Sequence, residues 1–390
     1  MPRGGYYQPH AYGRYRNMTF TPFDLEYTQS VWEQKVDFNL TESGVHPLRL
    51  EQLLGTDDRK LTELLATEIN YPHVNGNPEL RQRIAGLYDG AGIEHVLVTV
   101  GAAEANNIVM QALLEPGAEL LTQTPTYKQV WGLAANAGNP VRTFRLIPES
   151  GWALDIDELN AGVNDNTRII AVVNPNNPTG YIMAEAEMDA VVAAADRVGA
   201  WILADEVYRG AERLREEETP SFFGRYDKVL ALGSMSKAYG LPGLRLGWVV
   251  GPPDTVDALW RRHEYTTISA SMLSNILAAH ALSPNVRPRL IERTRRYIRD
   301  GFPVLEEWMG RQQGLFTYTP PQASAVSFIR YHLDINSTEL MENLCREASV
   351  FVGAGDSFGM DHHLRIAFGQ EREVLEEAFG RIENTLQSLR

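Results

Sequence analysis

Between residues 95 and 234, short apolar runs alternate with stretches of helical spacing, and this alternation restricts the fold of the 390-residue chain more than any other feature. "HVLVTV" reads as a buried strand, "AAEANNIVMQALL" as a helix, "AELLTQ" as a strand and "YKQVWGLAANAG" as a helix. "PVRTFRL" and "TRIIAVV" follow as strands, "AEMDAVVAAADRVG" as a helix, and "AWILADE" and "KVLALGS" as strands. Apolar strands separated by helices predict an α/β fold, a three-layer sandwich with a mainly parallel central sheet covered on both faces. In such sheets ligands bind beyond the carboxyl ends of the strands, so those ends are where chemistry is sought.

After residue 270 the pattern changes. Two long helical stretches precede "SAVSFIRY", "VFVGAG" and "HLRIAFG", which read as strands, and an amphipathic helix ends the sequence. A smaller α+β domain is expected over residues 39–50 and 286–390. A large ligand-binding domain is expected over 51–285, with an N-terminal arm over 1–38. "KVDFNL" has strand character but no following helix, which assigns it to the smaller domain.

A net charge of −14 gives no basic surface for nucleic acid. No run reaches eighteen apolar residues, so no membrane span is expected. The first twenty residues lack the apolar core of a secretory signal. Cys345 is the single cysteine and lies in "LMENLCREA" at helical spacing, which predicts a buried structural thiol. Without a partner for a disulfide, the chain fits a reducing cytoplasm.

The strand ends carry an unusual set of side chains. "TRIIAVV" runs into "NPNNPTG" with Asn177, and "AWILADE" ends at Asp205, three residues before Tyr208. "KVLALGS" leads to Ser234, Ser236 and Lys237, with Arg245 close behind in "SMSKAYGLPGLRLGW". "HVLVTV" ends in Gly101, Ala102 and Ala103 at a helix start, and "AELLTQ" leads to Tyr127. Together these suit an aromatic cofactor with an aldehyde, a phosphate and a basic ring nitrogen. Lys237 supplies an amine for the aldehyde and later a base, and Asp205 a carboxylate that keeps the ring nitrogen protonated. Asn177 and Tyr208 could serve the ring hydroxyl and Tyr127 could stack on the ring face, with an Asn-Pro turn the other role for Asn177 and core packing the other role for Tyr127. The helix start at Ala102 and Ala103 holds the phosphate with Ser234, Ser236 and Arg245. Arg365 interrupts an apolar strand, and a buried arginine needs an anion, whether a ligand carboxylate or a structural partner.

Competing chemistries lack their signatures. "TVGAAEANN" is not the G-x-G-x-x-G turn of a nicotinamide enzyme, and neither a phosphate-binding G-x-x-x-x-G-K-[ST] loop nor a G-x-S-x-G elbow occurs. The histidines show no H-E-x-x-H spacing, so no metal is expected.

"NPNNPTG", "ADEVY", "SMSKAYGLPGLRLGW" and "HLRIAFG", in that order, resemble the class I/II aminotransferases, enzymes of fold type I that use pyridoxal 5'-phosphate. The resemblance covers about residues 39 to 390. It implies Lys237 as the lysine bonded to the cofactor, Asp205 at the ring nitrogen, and Asn177 and Tyr208 at the ring hydroxyl. It places Ser234, Ser236, Arg245, Ala102 and Ala103 at the phosphate, Tyr127 on the ring, and Arg365 on the substrate α-carboxylate. "NYPHVNGNPELRQRI" resembles the stretch whose tyrosine, here Tyr71, reaches the phosphate of a neighbouring subunit, which implies a homodimer. Amino acids and 2-oxo acids are the implied substrates.

Two departures bear on this expectation. Ala102 and Ala103 stand where hydroxyl or lysine side chains are common, and "LTESGVHPL" replaces a run of the Gly-Glu-Pro-Asp type. The stretch "DLEYTQSVWEQKVDFNLTESGVH" is more similar to the capreomycidine synthase branch, whose members act on arginine derivatives. That places Gly44 and His46 on the substrate side, although a lone histidine such as His46 more often caps or packs. It also raises the prospect of Asp24, Glu26 and Glu42 meeting a guanidinium.

Overall fold

The computed structural model describes residues 20–55 and 58–389. The first nineteen residues of the expected N-terminal arm lie outside this range. In chain order the strands are β1 (Phe38–Asn39), β2 (Val96–Thr99), β3 (Glu119–Thr124), β4 (Val141–Ile147), β5 (Ala153–Leu154), β6 (Thr167–Val173) and β7 (Trp201–Asp205). They continue as β8 (Val229–Ser234), β9 (Gly247–Val250), β10 (Phe316–Tyr318), β11 (Val326–Tyr331), β12 (Val350–Phe351), β13 (Gly353–Ala354) and β14 (His363–Ala367).

Eight strands form the central sheet in the order β2-β9-β8-β7-β6-β3-β4-β5. The pairs β8–β7, β7–β6, β6–β3 and β3–β4 are parallel. The continuous apolar runs that predicted burial on both faces behave accordingly: every residue of β2, β8 and β9 is buried. Two antiparallel insertions were not legible in the alternation. β9 pairs antiparallel with both β2 and β8, and the two-residue β5 pairs antiparallel with β4. β9 is only four residues long and follows directly on a glycine- and proline-rich turn, so no helix announces it.

A second sheet, β10-β11-β14-β13, is antiparallel throughout and packs with the 25-residue helix Arg287–Arg311 and the terminal helix Arg372–Ser388. The strand read in "KVDFNL" joins this part of the molecule: Phe38 and Asn39 pair in parallel with Val350 and Phe351 of β12. "VFVGAG", read as one strand, is divided between β12 and β13, which belong to different sheets. Cys345 is buried with its sulfur 3.8 Å from that of Met341, and burial pushes its thiol up to about 12. Among the described residues no helix is long and apolar enough to cross a membrane, and no group of three or more His, Cys, Asp or Glu side chains is arranged to hold a metal.

Candidate active site

The carboxyl ends of β2, β3, β6, β7 and β8 open on one cleft of about 400 Å³, within the size range of small-molecule and cofactor sites. Its lining includes Lys237, Asp205, Tyr208, Asn177, Tyr127, Ala102, Ala103, Ser234, Ser236, Arg245 and Arg365. Eleven side chains picked out from the sequence therefore face a common space.

Asp205 closes β7, and its carboxylate accepts a 3.1 Å bond from the Val207 N–H. Burial drives its pKa up to about 6, against the opposing pull of that N–H, of Lys237 and of the Asn106 side chain. A cationic partner in the cleft would therefore relieve a real desolvation cost. Glu206, pointing the other way, is also buried and raised to about 7 by burial, although Ser221 and the Phe222 N–H donate to it.

Lys237 follows β8 by three residues, and burial lowers its pKa while Glu42 opposes the shift. Its Nζ lies 3.9 Å from Glu42 Oε2. Tyr208 is raised to about 12, chiefly by burial. Ser43 stands beside its hydroxyl, yet that buried oxygen has no well-formed hydrogen bond within the protein.

Arg365, on β14, is only 2% exposed. Its Nη1 donates to Asn177 Oδ1 at 2.9 Å and its Nη2 to the Thr41 carbonyl at 2.8 Å, while Nε has no partner. Both protein acceptors are neutral, and burial pulls the guanidinium's pKa down from its ordinary value. A buried cation served only by neutral oxygens is unbalanced until an anion enters the cleft.

At the other end of the cleft the helix Gly101–Leu113 begins against Arg245. Gly101 has φ +72°, a backbone conformation that favours glycine, and a Cβ there would lie 2.7 Å from Arg245 Nη2, so a side chain would strain the turn and shift the guanidinium. Arg245 itself has φ 47°, and its Nη1 donates to the Pro242 carbonyl at 3.1 Å. Ser234 and Ser236 hydroxyls lie 3.0 Å apart. Free helix N–H groups, two hydroxyls and a guanidinium make a ready anion cradle.

Tyr127 flanks the cleft with its ring 4.9 Å from that of Phe23 and its hydroxyl donating to Glu26 at 2.6 Å. Burial raises its pKa well above the ordinary value, with Glu26 adding to the shift. Glu26 and Gln29 belong to the helix Asp24–Trp32, which is tied down further by the 2.6 Å ion pair of Asp24 with Lys128 and by Gln29 donating to Glu42.

Three candidates fall elsewhere. Tyr71 is 84% exposed and stands outside its own chain's cleft. His46 does not line the cleft: its ring stacks on Tyr297 and its Nδ1 meets Gln370 at 3.2 Å, which is the packing alternative. Gly44 lies alongside, where a Cβ would reach 3.3 Å from the Ser236 carbonyl and 3.8 Å from the Lys237 stem. Sequence reasoning missed Asn106, Gln29, Gln129, Thr41 and Ser43, which also line the cleft. For Asn106 a signal existed, since it sits five residues into a helix whose start was already chosen.

A family model, aminotransferase class I and II, matches residues 60–382. The chain belongs to this family. Capreomycidine synthase of Streptomyces vinaceus is 32% identical over 360 residues, 89% of each chain. An aspartate aminotransferase of Streptomyces avermitilis is 29% identical, covering 81% of each chain. A solved pyridoxal-phosphate-dependent aminotransferase from Streptococcus suis superposes with a TM-score of 0.89 at 30% identity, covering 96% of this chain and 99% of the other. The protein is thus an aminotransferase-family enzyme of fold type I, and its cofactor is pyridoxal phosphate. The cleft suits that group on its own terms: a buried carboxylate seeking a cation, an unpartnered phenol, a lysine with lowered pKa and an anion cradle share one cavity.

Proposed function

We propose that this aminotransferase-family enzyme moves the α-amino group of an L-amino acid to a 2-oxo acid. The observation that carries the reading is Arg365, a buried guanidinium with no carboxylate partner in the cleft that also holds Lys237. When bound, the cofactor supplies an aldehyde and an electron-withdrawing ring that makes the substrate Cα–H acidic. Lys237 would hold the cofactor covalently, and its amine, when free, would take the proton from the substrate Cα onto Nζ and return it to the cofactor carbon that bore the aldehyde. Burial lowers the pKa of Lys237, which favours the neutral amine that can accept a proton. Asp205 would hold a proton on the ring nitrogen, with Asn177 and Tyr208 donating to the ring hydroxyl. The Ala102–Ala103 helix start, Ser234, Ser236 and Arg245 would hold the phosphate. Arg365 binds the α-carboxylate and fixes the Cα–H relative to Lys237. Tyr71, exposed beside Leu65 and Ile69 on the same segment, fits a homodimer in which each chain completes the other's site.

A second reading keeps the same residues and changes the outcome: elimination, cyclisation or oxidation of an arginine-like substrate. Glu26 and Glu42 in the cleft lining support it, because two carboxylates there suit a cationic side chain, as does the similarity to capreomycidine synthase. One experiment separates the two. Purified holoenzyme is mixed with each amino acid and no acceptor. Release of one equivalent of 2-oxo acid, followed by turnover when a second oxo acid is added, is the expected result. Oxygen uptake or ring formation from L-arginine, with no transfer from any amino acid, replaces the first reading by the second.

A further inference from the structure

The helix Gly101–Leu113 starts without help from its own cap: Val100 occupies the N-cap position and offers no side-chain hydrogen bond. The work falls to Glu104, four residues on and only 8% exposed. Its Oε2 accepts from the Val100 N–H at 2.7 Å. Its Oε1 accepts from His263 Nδ1 at 3.0 Å, from Thr267 Oγ1 at 2.7 Å and from Thr266 Oγ1. On the other side of the turn, Thr99 Oγ1 donates to the Gly101 carbonyl at 2.9 Å. The left-handed Gly101 is thus held between two side chains that point away from the cleft, while Ala102 and Ala103 line it.

A carboxylate at this place calls for explanation. It favours the helix N-terminus, but it stands close to where a second, larger anion would bind. Four donors, the Val100 N–H and three side chains of the 263–267 segment, spread its charge, and burial, which pushes its pKa up, is outweighed by them so that it settles at about 2.

We infer that Glu104 is a positioning residue for the phosphate end of the cofactor: it fixes the Val100–Gly101 turn so that the N–H groups of Ala102 and Ala103 are presented to the phosphate, and it acts through that turn. The inference rests on the reading that this helix start holds the phosphate. Without Glu104 the Val100 N–H and the Thr267 hydroxyl lose their acceptor together, and the turn is free to rotate those N–H groups out of line.

The test compares two ligands that differ only in the phosphate. Apo-protein of the wild type, Glu104→Ala and Glu104→Gln is titrated with pyridoxal phosphate and with phosphate-free pyridoxal, and circular dichroism checks the fold. Glu104→Ala should weaken pyridoxal phosphate binding about tenfold or more, the scale of a lost hydrogen bond to a charged group, and leave pyridoxal within about twofold. Glu104→Gln should fall between, since its amide oxygen satisfies one edge of the contact, and it carries the test alone if Glu104→Ala does not fold. Equal weakening of both ligands, or no change in either, overturns the inference. If the wild type binds pyridoxal phosphate no more tightly than pyridoxal, the phosphate site itself is misplaced, and the underlying reading fails separately.

Discussion

The floor and the rim of the cleft are built by different means. On the floor, Asp205, Ser234 and the Gly101–Ala103 turn sit at or just past the ends of buried strands, and their directions follow from the register of the sheet: Val173 pairs with Asp205, and Ser234 with Gly247. On the rim, Glu26, Gln29 and Glu42 come from a helix and a loop that no central strand holds, and side-chain bonds to Tyr127 and Lys128 tie them down. A floor of this kind suits a group that is always the same, the cofactor. A rim held by polar side chains can be rebuilt for a different substrate without disturbing the sheet, so on the proposed reading chemistry would belong to the floor and selectivity to the rim.

The largest effect that tests this division is at Lys237. Lys237→Ala removes both the anchoring amine and the proton carrier, and turnover should fall by about 10⁴-fold, the upper end of what a general acid–base contributes. The fold should be unchanged by circular dichroism. Residual activity within tenfold of wild type would detach the chemistry from the floor.

Arg365→Ala comes next. Truncating one partner of a buried charged pair costs about 2–5 kcal/mol, roughly 30- to several-thousand-fold in kcat/KM, and the loss should fall mainly on substrate binding. Cofactor affinity measured by titration should stay near that of the wild type. If the cofactor is lost instead, Arg365 belongs to the floor.

The third effect is on stability. The folded-state pKa of Asp205 lies above its ordinary value, at about 6. Between about pH 4 and 6 the folded cofactor-free protein therefore holds more protons than the unfolded chain, and its stability falls as pH rises through that window. The loss from this group is on the order of 3 kcal/mol, since one pKa unit is about 1.4 kcal/mol. Glu206, raised to about 7, extends the same trend upward. Urea unfolding of the apo-protein across pH 4–8 should show the decline, and Asp205→Asn should flatten its lower part. An identical slope in the variant would mean that Asp205 is not the strained carboxylate.

The smallest effects are expected on the rim. Glu26→Gln and Glu42→Gln leave the sheet intact and should change kcat/KM for uncharged amino acids by no more than severalfold, the scale of a partly exposed ion pair of up to about 1 kcal/mol. Amino acids with cationic side chains should lose more than neutral ones if the rim selects for charge. Equal losses for all amino acids would erase the distinction between the two regions.

The same contrast explains what was legible in the sequence. The floor could be read because strand ends in a parallel sheet point to one place, and buried strands are apolar enough to mark where they stop. Arg365 was legible because a cation inside an apolar strand is conspicuous. Glu104 was not, because a polar residue within a helical stretch looks the same whether it faces water or the protein interior, and Asn106 was marked only by its nearness to a helix start already chosen. Of the rim residues Glu26 and Glu42 were named only as acids that a guanidinium would suit and Gln29 was missed, since the helix that carries Glu26 and Gln29 is tied to Tyr127 and Lys128, about a hundred positions away in sequence. β9 escaped notice because antiparallel insertion of a four-residue strand leaves no periodic trace. His46 was drawn to the substrate side by the segment around it, whereas its ring prefers Tyr297 and Gln370.

Everything above depends on one bond that chemistry makes visible. Holoenzyme reduced with borohydride, digested and read by mass spectrometry should carry the mass of the reduced cofactor on the peptide containing Lys237 and on no other lysine. Stoichiometric cofactor bound without any label at Lys237, or label on a different lysine, would contradict the account.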